Sequence, residues 1–259
     1  MLTTEQVEQF QRDGYLLGPR VLDEAQVATL REELQRVIEN HDTLEKKPVR
    51  LSNLSGDAGA PVWQVVNIWE ASEPFRALVA QPVIAEEIAQ LTGARELRLW
   101  HDQTLVKPPG APMATPIHQD LPYWPMESEE AITAWTALDD VDERNSCMHY
   151  VPRSHTWGKY PGNDFRDPDE IAQMAPEHAH ECTPVTAPVP AGSVIFHHSL
   201  TFHGATPNVT DKARRAMIIH YMADGMRFNG AGHIVTGLLS LTPGQPMTND
   251  EVWPIIATA

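Results

Sequence analysis

From about Glu96 onward the chain consists of short segments rich in β-branched and aromatic residues, which proline, glycine and asparagine separate. Such segments predict β-strands, because side chains branched at Cβ fit the pleated surface of a sheet. The strand candidates are residues 96–107, 117–121, 131–138, 146–152, 193–198 and 214–222. Many short strands that follow a helical region favour a mainly β fold, a barrel or a sandwich, with flanking helices.

The region before these strands favours helices instead. Thr3 or Thr4 is placed to cap a short first helix, and Asp23 to cap a second helix whose apolar residues recur at the helical period. A third helical run is interrupted near Pro82 and ended by Gly93. These elements flank the strands, and we expect them to act as scaffold.

We expect the chain to form one domain, because β sandwiches and barrels commonly run to about 200–250 residues. Within 1–259 we expect a mostly helical prelude at 1–95, a β core at 96–228 and a C-terminal segment at 229–259. Residues 156–185 carry proline, glycine and acidic residues without clear periodicity, which indicates a long loop.

The composition excludes some partners. A formal net charge of −16, from 19 basic and 35 acidic residues, argues against nucleic acid, which needs clustered lysine and arginine. It counts more weakly against a coenzyme A thioester, whose phosphates also favour basic neighbours. No apolar run approaches the roughly 18 residues of a membrane span, and no charged-then-apolar leader precedes Leu2. We therefore expect a cytoplasmic protein without a membrane segment.

One short motif points to chemistry. His118 and Asp120 are separated by one residue, and His203 follows 83 residues after Asp120. Two imidazoles and one carboxylate can occupy one triangular face of an octahedral Fe(II), which leaves the opposite face open. In a strand, side chains at i and i+2 share a side, so a strand would aim the first two ligands at one centre. Alone the pair is weak evidence, because 12 histidines and 35 acidic residues produce such pairs by chance.

An arginine strengthens this interpretation. Arg214 follows His203 by 11 residues and offers a planar, permanently charged fork that can bind a carboxylate through two hydrogen bonds. Arg215 competes for this role, because adjacent strand residues face opposite ways. The residues that alternate with Arg214 suit a barrel interior, namely Ala216, Ile218 and His220. A metal triad with a carboxylate clamp predicts a 2-oxoglutarate-dependent oxygenase.

A fixed order of short motifs surrounds these residues. The motifs are Lys107-Pro-Pro-Gly110, Pro116-Ile-His-Gln-Asp-Leu121, Ala134-Trp-Thr-Ala-Leu138, Met148-His-Tyr-Val-Pro-Arg-Ser-His155, His203-Gly204 and Asn208. In this order the chain resembles the phytanoyl-CoA dioxygenase family of non-haem iron oxygenases, from Leu2 to about Tyr221. The resemblance implies a double-stranded β-helix (a jelly roll, cupin-like) as the core, with Fe(II) and the co-substrate 2-oxoglutarate.

The resemblance also implies roles for single residues. The family spacing after the distal histidine selects Arg214 over Arg215, and Gln103 and Trp135 match positions near the co-substrate. Trp135 is equally consistent with a core aromatic residue. Lys107 is a further candidate for contact with 2-oxoglutarate, and it is equally consistent with a surface lysine. The expected metal ligands are His118, Asp120 and His203, and the expected 2-oxoglutarate contacts are Arg214, Gln103, Trp135 and Lys107.

The chain departs from the family pattern at Ala205, where a hydroxyl residue is frequent two positions after the distal histidine. Thr206 or Thr210 is a possible substitute, and the sequence leaves this choice open. The candidates for contact with the substrate are Tyr123, Trp124 and Asn67, from aromatic and apolar runs beside the motif.

We therefore expect an Fe(II)- and 2-oxoglutarate-dependent dioxygenase that uses O2 to hydroxylate a small molecule, natural-product or lipid-like, with release of succinate and CO2. Because the carboxylate ligand Asp120 is retained, hydroxylation is favoured over halogenation, and desaturation and ring formation stay open. One alternative is a non-catalytic metal-binding jelly-roll module, a sensor or ligand-binding protein, in which Arg214 has no purpose. Another is a hydrolase or isomerase of the cupin type, which usually carries more histidine ligands.

Overall fold

The computed structural model describes residues 1–165, 170–237 and 239–258. The strands are β1 (Tyr15–Arg20), β2 (Arg50–Asn53), β3 (Trp63–Val66), β4 (Glu96–Lys107), β5 (Thr115–His118), β6 (Ala131–Ala137), β7 (Met148–Tyr150), β8 (Val185–Ala187), β9 (Ser193–His198), β10 (His203–Ala205), β11 (Arg214–Met222) and β12 (Ile255–Thr258). The α-helices are α1 (Thr4–Asp13), α2 (Glu24–Asn40), α3 (Glu73–Val79), α4 (Pro82–Thr92) and α5 (Ile171–Met174). Single 3-10 turns cover Ile68–Glu70, Leu121–Tyr123, Ser154–Trp157 and Pro176–His178.

The strands form two antiparallel sheets. The major sheet has the order β1-β9-β6-β11-β4-β3-β2, with β12 paired to β4, and the minor sheet has the order β5-β10-β7-β8. Their inner faces share one apolar cluster, in which Trp135 and Ile218 of the major sheet lie with Met148 and Tyr150 of the minor sheet. The predicted mainly β sandwich is confirmed, and its interior lies between the two sheets.

The helices cover the outer face of the major sheet. The apolar stripe of α2, which includes Leu30 and Leu34, and residues of α3 and α4 belong to one buried cluster with Met217, Ile219 and Tyr221 of β11. Burial of a leucine-sized side chain stabilises a fold by about 1.5–3 kcal/mol. This layer therefore anchors the sheet on the side away from the sandwich interior.

The predicted helix starts at Thr3 and Asp23 are confirmed, although the first helix runs to Asp13, beyond the end at Phe10 that its sequence predicts. Thr3 and Asp23 each accept a hydrogen bond from the backbone three residues later and complete a capping box with a glutamine. The third run is two helices, and the second of them begins at Pro82, whose missing N–H costs nothing in a first turn. Gly93 ends that helix in the left-handed region, at φ 72°.

The prelude also contains strands, which the sequence analysis missed. β1 pairs with β9, and β3 pairs with β4, so residues from the first 70 positions extend the major sheet at both sides. Their sequences lack the usual features of a strand, because β1 contains Gly18 and Pro19 and β2 is mostly polar. Pairing with a neighbour supplies the hydrogen bonds that the local sequence does not specify.

Two predicted strands are shorter than expected. The segment 146–152 keeps only β7, because Ser146 has a positive φ of 75° that no extended strand allows. The prediction of a strand over 117–121 was wrong in its second half. β5 ends at His118, and Asp120 caps the 3-10 turn that follows. Pro122 in that turn has no N–H to continue a ladder.

Among the described residues, no helix has both the length and the apolar character that crossing a membrane requires.

Candidate active site

The two candidate histidine ligands meet because they lie opposite each other on neighbouring strands. His203 of β10 is paired in register with His118 of β5, and their ring centroids are 4.4 Å apart. Side chains directly opposite in an antiparallel pair have Cβ atoms about 5 Å apart. Strand pairing therefore brings together two residues that are 85 positions apart in the chain.

Asp120 reaches the same point from a turn. The backbone N–H groups of Asp120 and Leu121 both donate to the carbonyl of Ser199, at 3.0 and 3.1 Å, which bends the chain out of β5. Oδ1 of Asp120 then lies 3.6 Å from Nε2 of His118 and 3.7 Å from Nε2 of His203. One ligand atom from each of the three residues lies within 4.8 Å of the others, so the group could hold one metal ion.

Hydrogen bonds orient both rings for metal binding. Nδ1 of His118 donates to the carbonyl of Pro116, and Nδ1 of His203 donates to that of Thr201, each at 2.8 Å. A neutral ring with its proton on Nδ1 has a free lone pair on Nε2, the atom that faces Asp120. Metal-binding histidines are commonly fixed in this way.

The carboxylate of Asp120 is buried and ionised. Burial would raise its pKa, but the neighbouring imidazoles of His203, His118 and His197 together hold the pKa well below its usual range. Oδ2 accepts hydrogen bonds from Thr133 Oγ1 at 2.9 Å and from His197 Nε2 at 3.2 Å. Because Oδ2 is occupied by these donors, Oδ1 is the oxygen that faces the two histidines.

The triad lines a cavity of about 520 Å³. The cavity opens beside β2 and β5, where Leu54 and Phe165 are both about 40% exposed, and its walls come from both sheets. The lining residues are Asn53, Leu54, Gln64, Gln103, Leu105, Met113, Ala114, Thr115, His118, Asp120, Trp135, Met148, Phe165, His197, His203, Arg214, Ile218 and His220.

Arg214 lies in the wall of this cavity and is 1% exposed. Nε and Nη2 donate to the carbonyl of Ser146, and the guanidinium lies 4.9 Å from the ring centroid of Trp135. Burial lowers the pKa of Arg214 to about 10, so the side chain stays charged at neutral pH. Nη1 is buried and has no hydrogen-bond partner among the described residues.

An unpaired buried donor costs about 1–3 kcal/mol, and more when it is charged, unless a ligand satisfies it. A carboxylate is the ligand that a guanidinium binds best. The free Nη1 of Arg214 therefore fits the far carboxylate of 2-oxoglutarate, and the triad with its free Nε2 lone pairs fits iron.

Arg215 faces the other way, as the strand alternation predicts. Its side chain donates to both carboxylate oxygens of Asp139 at 2.8–2.9 Å, and Arg31 reaches the same carboxylate at 2.9 Å. Arg215 lies outside the cavity lining, so Arg214 is the arginine that faces the interior.

The structure places the other 2-oxoglutarate candidates differently. Trp135 and Gln103 both line the cavity. The Trp135 ring stacks against the guanidinium of Arg214, and both ends of the Gln103 amide are hydrogen-bonded. Lys107 is opposite Arg214 on β4 but lies outside the cavity lining, and its ammonium donates to Ser146 Oγ and the Thr206 carbonyl. Burial, and then Arg214, lower the pKa of Lys107 to about 7. Lys107 is thus a buried neighbour of Arg214 and not a surface lysine.

Neither threonine replaces the hydroxyl that Ala205 lacks. The Thr206 hydroxyl reaches the carbonyl of Glu143, and that of Thr210 bonds to Asn208. Both lie outside the cavity lining, whereas Met148 Sδ lies 3.7 Å from Nη2 of Arg214.

The substrate candidates are also separated by the fold. Tyr123 lies near the mouth, 6.0 Å from the His118 ring and 5.4 Å from the Phe165 ring, and its hydroxyl donates to the carbonyl of Asn163. Trp124 is buried in an apolar cluster beside His220. Asn67 is 1% exposed, with φ 56°, and its amide donates to Glu70. All three candidates lie outside the cavity lining.

Sequence reasoning missed the role of three inner residues, Thr133, His197 and His220. His220 alternates with Arg214 on β11, so the sequence indicated its face but not its partner. Burial lowers the pKa of His220 to about 4, so its ring is neutral. The mouth residues Leu54, Met113 and Phe165 carry no sequence signal, because loops bring them together.

Solved structures similar to this chain are those of non-heme enzymes that depend on alpha ketoglutarate. SnoK, a non-heme alpha ketoglutarate dependent carbocyclase from nogalamycin biosynthesis, superposes with a TM-score of 0.82 at 30% identity, covering 98% of this chain and 96% of SnoK. The epimerase SnoN, in complex with Fe3+, alpha ketoglutarate and nogalamycin RO, gives a TM-score of 0.82 at 29% identity, covering 97% of each chain. The fold is the expected double-stranded β-helix, and the protein is a non-haem iron, 2-oxoglutarate-dependent oxygenase.

Residues 10–216 match the family model of phytanoyl-CoA dioxygenase, and the chain belongs to this family. Human peroxisomal phytanoyl-CoA dioxygenase is 25% identical over 237 residues, which cover 85% of this chain and 68% of the human protein. Membership of an enzyme family that uses Fe(II) and 2-oxoglutarate speaks against a non-catalytic binding module.

Proposed function

We propose that this oxygenase hydroxylates an uncharged small molecule of natural-product or lipid-like type, with O2 as oxidant and release of succinate and CO2. His118, Asp120 and His203 hold Fe(II), and Arg214 holds the far carboxylate of 2-oxoglutarate. One observation carries the proposal: a triad with free Nε2 lone pairs lines the same cavity as a buried guanidinium whose Nη1 has no partner among the described residues.

The charges of the proposed assembly balance. The two positive charges of Fe(II) and the one of Arg214 are offset by Asp120 and the two carboxylates of 2-oxoglutarate. Burial lowers the pKa of the lining imidazole of His220 to about 4, so that ring adds no charge at neutral pH. Buried charges are tolerated only when they are paired, so this balance favours binding of iron and co-substrate together.

The bound metal and co-substrate supply the oxidising chemistry, and the protein supplies position and shielding. Trp135, Ile218 and Met148 surround the clamp with apolar surface that keeps water from the reacting atoms. Asp120 presents one oxygen to the metal while Thr133 and His197 hold the other.

The residues that line the outer part of the cavity indicate which kind of substrate it accepts. Its lining there is apolar at Leu54, Met113 and Phe165, with neutral amides at Asn53 and Gln64. Among the described lining residues Arg214 is the single side chain with a permanent positive charge, and the co-substrate engages it. Phosphates of a coenzyme A thioester would find no cation in this wall. An apolar molecule with hydroxyl or carbonyl groups fits it better.

Oxidative ring closure or epimerisation is the second candidate. The likeness to the carbocyclase SnoK and the epimerase SnoN favours it, because it covers nearly the whole chain. All three outcomes require a substrate C–H group to lie near the metal, so the same site serves each. Retention of Asp120 speaks against halogenation, which needs that ligand position free.

The test is anaerobic purification, loading with Fe(II) and 2-oxoglutarate, and exposure to O2 with a panel of uncharged polycyclic aromatic compounds, terpenoids and fatty-acid esters, with an acyl-CoA for comparison. We expect succinate release above the substrate-free rate for at least one class. Product mass then separates gain of one oxygen, loss of two hydrogens and unchanged mass. If an acyl-CoA alone stimulated succinate release, the argument from the cavity wall would be wrong.

A further inference from the structure

A continuous line of hydrogen bonds leads from Asp120 across the major sheet. Thr133 Oγ1 donates to Oδ2 of Asp120 at 2.9 Å and lies 2.8 Å from Nδ1 of His220. The ionised carboxylate can only accept, so the hydroxyl proton points to Asp120. The hydroxyl oxygen must then accept from His220, which places the imidazole proton on Nδ1.

The same reasoning fixes the next links. Nε2 of His220 carries no proton and can only accept, and the Gln103 amide nitrogen lies 3.4 Å from it. The amide oxygen of Gln103 then faces Gln64, whose Nε2 donates to it at 2.5 Å. Arg50 closes the line, because Nη2 donates to the Gln64 oxygen at 2.5 Å. Every donor along the line points toward Asp120.

Strand register builds this line. His220 is directly opposite Thr133 in the pairing of β11 with β6, and Gln103 on β4 is opposite Ile218, two residues from His220. Gln64 on β3 is opposite Leu105, two residues from Gln103. Such diagonal neighbours are within reach of long side chains.

A shorter arm holds the same oxygen from the other side. The Tyr150 hydroxyl lies 3.2 Å from Nδ1 of His197, and Nε2 of His197 lies 3.2 Å from Oδ2 of Asp120. The buried tyrosine donates to Nδ1, so His197 carries its proton on Nε2 and donates it to the carboxylate. Two histidines with opposite tautomers therefore donate, one directly and one through Thr133, toward a single oxygen.

We propose that His220 and Gln103 are positioning residues for the metal site: through Thr133 they turn Asp120 so that Oδ1 alone faces the metal. The proposal rests on the proposed function, in which Asp120 binds iron. It also changes the expected role of Gln103, since both ends of its amide serve this line instead of a co-substrate carboxylate. Gln64 lines the outer cavity, so the line joins the substrate region to the metal ligand.

The first test compares two threonines of β6. Thr133→Val removes the hydroxyl that holds Asp120. Thr136→Val is its matched control, because Thr136 is equally buried and its hydroxyl has no partner among the described residues. The readout is Co(II) affinity by titration without 2-oxoglutarate. We expect Thr133→Val to weaken it roughly 10- to 100-fold, the range for partners of metal ligands, and Thr136→Val to leave it unchanged.

The second test follows the line outward. His220→Leu removes the donor to Thr133, whereas His220→Asn retains an N–H near the position of Nδ1, so Asn should recover part of the lost Co(II) affinity. Gln103→Leu should weaken Co(II) binding by a few-fold and leave the KM for 2-oxoglutarate within about twofold. A raised KM with unchanged Co(II) affinity would make Gln103 a co-substrate ligand and overturn the proposal.

Asp120→Ala separates this proposal from the function on which it rests. If Asp120→Ala kept Co(II) affinity, the assignment of the metal site itself would fail. If Asp120→Ala lost it while Thr133→Val, His220→Leu and Gln103→Leu all matched Thr136→Val, the metal site would stand and the positioning line alone would be refuted. Thermal unfolding of each variant without metal shows whether a loss of affinity comes from loss of fold.

Discussion

The two faces of the major sheet use the same residue types for different purposes. On the inner face Arg214 keeps Nη1 without a partner among the described residues, and on the outer face Arg215 donates through Nε and Nη2 to both carboxylate oxygens of Asp139. On β9, His197 donates to Asp120 inside, whereas the next residue, His198, accepts from the Leu200 N–H outside. Inner groups are left available for ligands, and outer groups satisfy one another. Loss of an inner group should therefore reduce activity, and loss of an outer group should reduce stability.

The largest effect should come from the inner end of the cavity. Asp120→Ala removes one of three proposed metal ligands and should lower succinate formation by at least about 1000-fold, because the oxidising chemistry depends wholly on the metal. Circular dichroism and thermal unfolding should stay close to wild type, since the ligand contributes little apolar packing. A folded variant with near-normal turnover would remove Asp120 from the metal site.

Replacement of the paired arginines tests the comparison directly. Arg214→Lys should weaken 2-oxoglutarate binding by roughly 10- to 100-fold, because an ammonium cannot reproduce the fork, and one charge-assisted hydrogen bond contributes about 1.5–3 kcal/mol. Co(II) affinity should stay unchanged. Arg215→Lys, the matched control one residue away, should keep the KM for 2-oxoglutarate and lower only the unfolding temperature. The reverse pattern would show that Arg215, and not Arg214, faces the cavity.

The mouth should show a smaller and more selective effect. Phe165 lies 4.9 Å from the His118 ring and 5.4 Å from that of Tyr123, at the entrance to the cavity. Phe165→Ala removes apolar surface at the cavity entrance and changes neither a proposed metal ligand nor Arg214, so we expect a KM for substrate that rises by about 3- to 10-fold. The KM for 2-oxoglutarate should not move. Equal changes in the KM for substrate and the KM for 2-oxoglutarate would show that Phe165 contacts the co-substrate as well.

The smallest effect on turnover should come from His198 on the outer face. Burial, and then His155 and His197, lower the pKa of His198 to about 4, so the folded protein keeps the ring neutral where the unfolded chain, with a pKa near 6.5, takes up a proton. Stability is therefore complete above about pH 6.5 and falls as pH drops toward 4, by at most about 3 kcal/mol.

His198→Asn tests this pH dependence. Asparagine retains an acceptor for the Leu200 N–H but does not titrate, so the variant should lose less stability between pH 6.5 and pH 4 than the wild type. Chemical denaturation across this range measures the difference. An identical pH profile in both proteins would assign the acid sensitivity to other groups, and a change in turnover at neutral pH would contradict the separation of the two faces.

Much of the site could be predicted from sequence because it depends on short spacings. Strand alternation sorted Arg214 from Arg215 and placed His220 on the inner face, and the caps at Thr3 and Asp23 fixed where helices begin. Each of these signals involves residues within a few positions of one another, where backbone geometry alone dictates which side a residue faces.

Tertiary structure decided what depends on distant partners. The turn at Asp120 forms because the Ser199 carbonyl, 79 positions away, accepts two N–H groups there, and no pattern near Asp120 announces it. β1 and β3 become strands because β9 and β4 offer edges to pair with. The line from Asp120 to Gln64 runs across four strands, β6, β11, β4 and β3, and a hydrogen bond depends on atomic positions within tenths of an ångström. The sequence alone determined which residues could serve this chemistry, and the register of the folded sheets decided which of them meet.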